Sequence, residues 1–159
     1  MDVFKTAEDI LNERGSDLFT IDHDAKVADA ISLMTKKKVG CILMVEEGNI
    51  VGIWTERDLL NNSLKEDFSL KTAKIRDYMT TKLIYAQHDD IIYHLIDKFL
   101  GLRVRHLLIQ REGNCIGMLS AGDVMRAALQ QRTQELERMR DLVKLDYYDE
   151  WRWKDKRKK

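Results

Sequence analysis

Asn49-Ile50-Val51-Gly52-Ile53-Trp54-Thr55-Glu56-Arg57-Asp58 returns sixty-five positions later as Asn114-Cys115-Ile116-Gly117-Met118-Leu119-Ser120-Ala121-Gly122-Asp123. The register extends without a gap: Leu18 meets Leu83, His23 meets His88, Ile31 meets Ile96 and Val39 meets Val104. Across 18–60 and 83–125, eleven of forty-three positions are identical, and many others exchange one apolar residue for another. A repeated unit of this length cannot bury its apolar face alone, so two copies must pack together.

Each unit reads as strand, helix, strand, strand, helix. Leu18 to Ile21 is a short apolar strand, and Val27, Ala30, Ile31 and Met34 recur at helical spacing up to the Lys36-Lys37-Lys38 cluster. Cys41-Ile42-Leu43-Met44-Val45 is too short for a typical helix and rich in strand formers, which predicts a buried strand. Glu46-Glu47-Gly48-Asn49 supplies a hairpin turn before the returning strand Ile50 to Trp54, and Arg111-Glu112-Gly113-Asn114 repeats it. A helix follows each hairpin, with Thr55 and Ser120 as N-cap residues.

Composition excludes several function classes. Apolar residues make up 44% and charged residues 34%, an ordinary globular balance, and 27 basic side chains match 27 acidic ones, so net charge does not point to nucleic acid. No apolar run approaches a membrane span and no signal peptide opens the chain, so the cytoplasm is the expected compartment; a matrix protein without its transit peptide would read the same. Cys41 and Cys115 lack CxxC spacing and fit reduced thiols. His23, His88, His94 and His106 form no metal-binding spacing, and no metal is expected. Nucleophile elbow, Walker loop and dinucleotide fingerprint are all missing, so catalysis is not expected.

Thr55-x-x-Asp58 and Ser120-x-x-Asp123 carry two readings. As capping boxes, the hydroxyl and the carboxylate exchange hydrogen bonds with the backbone of the first helical turn. As ligand sites, the same helix N-termini offer unpaired N–H groups to a phosphate, while an ionised Asp one turn along accepts from ribose hydroxyls.

Taken with these doubled Gly-x-x-Ser/Thr-x-x-Asp motifs, Asp9-Ile10-Leu11-Asn12-Glu13-Arg14-Gly15, Ile75-Arg76-Asp77-Tyr78-Met79-Thr80 and Val104-Arg105-His106-Leu107 give a resemblance. The chain resembles the tandem cystathionine-β-synthase (CBS) domain proteins, the small stand-alone pairs, over roughly 7–130. Asp9 and Asp77 correspond at a spacing of sixty-eight, so three residues are lost before the second copy's first strand. The chain departs from the family at Asp22-His23, Gln87-His88 and Leu108, where Pro is common; it has no Pro at all.

The resemblance implies an α/β fold: a tandem CBS-domain pair of two β-α-β-β-α repeats related by a pseudo-twofold, with an extended C-terminal helix. The expected division is 7–66 for the first repeat, 73–130 for the second and 131–159 for a helical extension and basic tail. It further implies clefts for an adenine nucleotide, AMP, ATP or NAD, with hydroxyl and helix end toward phosphate, Asp on ribose and adenine between apolar strand residues. The implied ligand residues are Thr20, Asp22, Val39, Thr55, Arg57 and Asp58 in the first repeat, and Tyr85, Arg103, Arg105, His106, Ser120 and Asp123 in the second. Arg105 and His106 match the family's phosphate-contacting pair, and Thr20 matches a residue at the base edge; its counterpart Tyr85 either stacks on adenine or fills its pocket. The two clefts are expected to differ, with Arg57 serving one and Arg105 the other.

Beyond the repeat, a helix from Ser120 has no stop signal before about Leu145. Leu129, Leu136 and Val143 fall seven apart with Met139 between the last two, and Arg132 interrupts a narrow seam suited to a partner subunit. The tail Trp151 to Lys159 mixes aromatic with basic residues. The expected function is a regulatory nucleotide-binding module, a homodimer that signals to a protein partner, without membrane or nucleic acid. Two rivals stay open: a scaffold with empty clefts acting through helix and tail, and an RNA-binding adaptor using the basic tail.

Overall fold

The computed structural model describes residues 4–15 and 17–155, with side chains as far as Val143. β1 (Thr20–Asp22) leads through α2 (Val27–Lys37) to β2 (Cys41–Glu46), which lies parallel to it, and β3 (Asn49–Thr55) returns antiparallel. β4 (Tyr85–Gln87), α4 (Ile92–Leu102), β5 (His106–Arg111) and β6 (Asn114–Ser120) repeat this sequence of elements sixty-five residues on. The two sheets have orders β1-β2-β3 and β4-β5-β6. Even the irregularities recur: the register shifts between Met44 and Val45 in one hairpin and between Ile109 and Gln110 in the other.

Local chemistry explains the turns. Glu47 and Gly48 stand at φ 49° and 81°, and Glu112 and Gly113 at 49° and 80°. Two consecutive left-handed residues match the right-handed twist of the flanking strands, and glycine in the second place adopts that conformation without steric cost. α2 ends where Lys38 turns left-handed at φ 55° and α4 where Arg103 does so at φ 54°.

The cores are not divided as the linear repeats are. Val27, Ala30, Met34, Ile42, Met44 and Trp54 of the first repeat are buried together with Ala73 and Ile75, which lead into β4 of the second. Ala86, Ile92, Leu95, Phe99, Leu107, Ile109, Leu119 and Val124 are buried with Ala7, Ile10 and Leu11 of α1 (Ala7–Arg14), which leads into β1 of the first. Each lead-in segment therefore crosses to the other repeat. Backbone bonds fix the exchange: the Ala7 and Glu8 N–H groups donate to the carbonyls of Asp90 and His88, and the Ile75 and Arg76 N–H groups to those of Ala25 and His23.

Two expectations shift at their boundaries. β1 starts at Thr20 rather than Leu18, although the Leu43 N–H already donates to the Phe19 carbonyl. The last helix, α5 (Ala121–Asp155), runs beyond the stop expected near Leu145, and α3 (Glu56–Ser63) is its shorter counterpart. The basic tail lies outside the residues whose side chains are described.

Candidate nucleotide cleft

Thr55 ends β3 and caps α3. Its Oγ1 accepts from the Asp58 N–H at 3.3 Å, while Asp58 Oδ2 accepts from the Thr55 N–H at 2.9 Å and from its hydroxyl at 3.0 Å. The capping box is thus formed, and it engages one carboxylate oxygen. Asp58 Oδ1 has no protein hydrogen bond among the described residues, and the residue is half-buried. Capping and ligand binding are therefore compatible at this Asp.

Asp58 also lines a cavity of about 410 Å³. Thr55, Glu56, Arg57 and Asp58 line it from the first repeat, Thr80, Lys82, Leu83 and Ile84 from the connecting segment, and Arg103, Val104, Arg105 and His106 from the second repeat. Gly40, Ile53, Leu108 and Met118 complete the wall. The volume suits a small ligand, and the lining mixes apolar side chains with more positive than negative ones. Arg57, Arg103 and Arg105 are exposed, so their charges stay hydrated until an anion arrives. Arg103 reaches this wall because it caps α4 in the left-handed conformation. His106 is half-buried; burial pushes its imidazole below the ordinary value, Arg105 adds to this, and Asp123 and Glu56 oppose it.

The second motif has the same backbone and a different electrostatic outcome. Asp123 Oδ2 accepts from the Ser120 N–H and from Arg14 Nη1, both at 2.8 Å, while Oδ1 accepts from Arg126 Nη2 at 2.9 Å. Its side chain is 6% exposed. Burial alone would raise this carboxyl's pKa; the Ser120 hydrogen bonds, Arg14 and Arg126 outweigh it and hold the group below the usual range. The hollow here is about 210 Å³ and is lined by Arg14 and Arg126 themselves. The protein's own guanidinium groups occupy the carboxylate that a ribose would need.

Six of the twelve implied residues meet in the Asp58 cleft: Thr55, Arg57, Asp58, Arg103, Arg105 and His106. Arg57 and Arg105 were expected at different clefts, and the structure lines one cleft with both, because the pseudo-twofold sets the end of β3 against the start of β5. Asp123 lies at the smaller, clamped hollow, with its cap Ser120 beside it. Asp22 is not brought to either: it pairs with Val45, whereas Thr55 pairs with Cys41 at the opposite end of the sheet, roughly 13 Å away along the strand. Thr20, exposed on β1 opposite Leu43, does not line the cavity either. Val39 borders a neighbouring hollow of about 460 Å³ between α2 and α3, floored by Trp54 and Leu59. Tyr85 stands one residue past Ile84, on the other face of its strand. Burial raises its phenol pKa, with a further rise from Cys115, and Tyr85 does not line the cavity.

Lys82, Thr80 and Glu56 were not singled out from sequence. Lys82 had a usable signal: the sixty-eight-residue spacing of Asp9 and Asp77 also pairs Arg14 with Lys82, the cations that flank the two motifs. Away from the clefts, Asp22, His23 and Asp24 bring possible metal-ligand atoms within 4.8 Å of one another. Arg76 already binds Asp24 at 2.6 Å, with Lys74 at 3.8 Å, so that cluster is balanced by cations. Cys41 is buried and its thiol is pushed up to about 12, chiefly by burial, with Arg14 opposing and Glu56 adding. No described helix is long and apolar enough to cross a membrane.

The fold is thus a paired α/β repeat with crossed lead-ins and a Thr/Ser-x-x-Asp motif at each cleft. The CBS domain model matches residues 7–65 and 75–130, so the chain belongs to the CBS-domain family. Among curated relatives, the mitochondrial CBS domain-containing protein CBSX3 of Arabidopsis thaliana is 33% identical over 129 residues, covering 78% of this chain and 63% of the relative. A putative signal-transduction protein with CBS domains from Burkholderia ambifaria superposes with a TM-score of 0.74 at 29% identity, over 79% of this chain and 95% of that one. CBSX2, whose structure is in complex with AMP, superposes at 0.61 and 26% identity, over 75% and 91% of the respective chains.

Proposed function

We propose that this chain is a regulatory, non-catalytic module that binds an adenine nucleotide of the AMP, ATP or NAD type in the Asp58 cleft. It acts as a homodimer and passes the ligand state to a protein partner. One observation carries the reading: Asp58, one of whose carboxylate oxygens has no hydrogen bond among the described residues, lines a cavity together with Arg57, Lys82, Arg103 and Arg105. In this arrangement Asp58 Oδ1 accepts from ribose hydroxyls, and the N-terminal N–H groups of α3 with the four cations take the phosphates. Leu83, Ile84 and Val104 flank the base. The AMP complex of CBSX2 supports the choice of an adenine ligand.

Ligand here touches both repeats and the segment between them. It shifts their packing to the extent that it binds one arrangement more tightly than the other. The clamp on Asp123 supports a narrower form of the scaffold alternative, in which the second cleft is structural and the first is the sensor. A reducing compartment, the cytoplasm, suits the free thiols Cys41 and Cys115.

Titration calorimetry with adenosine, AMP, ATP and NAD tests the reading. Phosphate-bearing ligands are expected to bind more tightly than adenosine. Arg57→Ala and Arg105→Ala are each expected to cost about 1.5–3 kcal/mol for AMP, the range for hydrogen bonds to charged groups, and to leave adenosine nearly unchanged. Absence of binding by every adenine compound, or equal loss for adenosine and AMP, would overturn it.

A further inference from the structure

Among the residues of α5 whose side chains are described, only the first turns are anchored. Val124 and Ala127 are buried against the second repeat, yet from Leu129 to Val143 only Gln131 and Glu135 are even half-buried. Leu129, Leu136, Met139, Leu142 and Val143 are each between 61% and 67% exposed, and Met125 is 53% exposed. A helix projecting from the body is marginal in water unless its apolar stripe is covered. Met125, Leu129, Arg132, Leu136, Met139 and Val143 follow a 4-3-4-3-4 spacing, the seam of a two-stranded coiled coil.

We propose that the occupant of this seam is the α5 of a second copy, running parallel and in register. The choice of partner and direction comes from the flanking charges. With Leu129, Leu136 and Val143 at a positions, Glu135 falls at g and Arg140 at the following e, so a parallel pair brings each Glu135 to the partner subunit's Arg140 on both sides of the seam. An antiparallel pair centred on the same stretch would set Glu135 against its own copy and Arg126 against Arg140, like charges throughout. Between Met125 and Val143, Arg132 is the single charged core position; paired with its own Glu135 at 3.5 Å, it lowers stability and penalises slipped registers. The inference rests on the homodimer proposed above and specifies how that dimer is held.

The test uses the full chain with Cys115→Ser to remove the more accessible native thiol. Leu129→Cys and Val143→Cys, at exposed positions, are each expected to cross-link to their own twin under mild oxidation, whereas a mixture of the two is expected to give no 129-to-143 link. A dominant 129-to-143 link, or no cross-link from either, overturns the proposal. By sedimentation, Leu136→Asp with Val143→Asp is expected to yield monomer; Glu135→Arg is expected to weaken the dimer, and adding Arg140→Glu to restore it. A dimer that survives the Asp pair overturns the coil and leaves dimerisation through the body standing. A monomeric wild type overturns both.

Discussion

Asp58 and Asp123 share a motif and a backbone setting, and they are predicted to respond oppositely to the same substitution. Asp58→Ala removes one half of a cap and a free acceptor, so it should weaken nucleotide binding by about 1.5–3 kcal/mol and cost about 1 kcal/mol of stability as a lost cap. Asp123→Ala strips the shared partner from Arg14 and Arg126. Because those guanidiniums are 36% and 70% exposed, water recovers part of the loss, and the expected cost is about 1–3 kcal/mol of stability, with affinity at the Asp58 cleft little changed. Urea unfolding and calorimetry on both variants separate the two effects, and equal behaviour would refute the distinction. His106 gives a pH signature. Its folded pKa lies below the ordinary 6.5, so the unfolded chain binds the proton more readily. The stability it contributes is present above that value and is lost as pH falls below it, over the interval down to the depressed folded pKa. A phosphate beside the ring favours the charged form, so binding takes up a proton and affinity is expected to rise as pH falls toward 6.5. Comparing wild type with His106→Gln between about pH 5 and 8 checks this: the variant is expected to lose the part of both slopes due to the imidazole.

At the scale of elements, the hairpins, the crossing helices and both caps were legible because each has a local cause. Gly48 and Gly113 mark the turns, Thr55 and Ser120 the helix starts, and the sixty-five-residue period aligns them. The exchange of lead-ins was not legible, since a period reports which segments are alike and not which copy each one covers. For the same reason Arg57 and Arg105 were assigned to separate clefts, and Asp22 was carried over by family position although its strand end faces away from the motif. Strand alternation decided Ile84 over Tyr85, and a one-residue uncertainty in where β4 begins is enough to reverse that choice. The exchange itself has a stringent contact. A Cβ at Gly52 would clash most closely with Sδ of Met79 and would also lie 2.9 Å from its Cγ and 3.2 Å from its Cβ, so the stem of that side chain is involved as well. Gly52→Ala is therefore expected to destabilise by about 1–3 kcal/mol through overpacking. Combined with Met79→Ala, which vacates the space, the double variant should lose less than the sum of the singles in urea denaturation. Additive losses would mean that the first repeat and the incoming segment do not meet at this point.

Across the whole molecule, the pseudo-twofold builds two clefts from one plan, and two pairs of side chains make them unequal. Three residues after Asp123 stands Arg126, which binds it; three after Asp58 stands Asn61, which does not. In the lead-ins, Arg14 reaches Asp123, while its counterpart Lys82 lines the open cavity and makes no hydrogen bond or ion pair with Asp58. The asymmetry is thus written in Arg126 against Asn61 and Arg14 against Lys82, and it predicts one nucleotide per chain in the wild type. Exchanging the clamp for the residues of the open side, Arg14→Lys with Arg126→Asn, frees the Asp123 carboxylate while keeping a cation nearby, so a second, weaker binding event is expected. The first site should keep its affinity, because none of its lining residues is altered. Calorimetric stoichiometry decides the matter: two equivalents bound by the wild type would show that Arg14 and Arg126 yield to ligand, and that the clamp is no barrier to a second nucleotide.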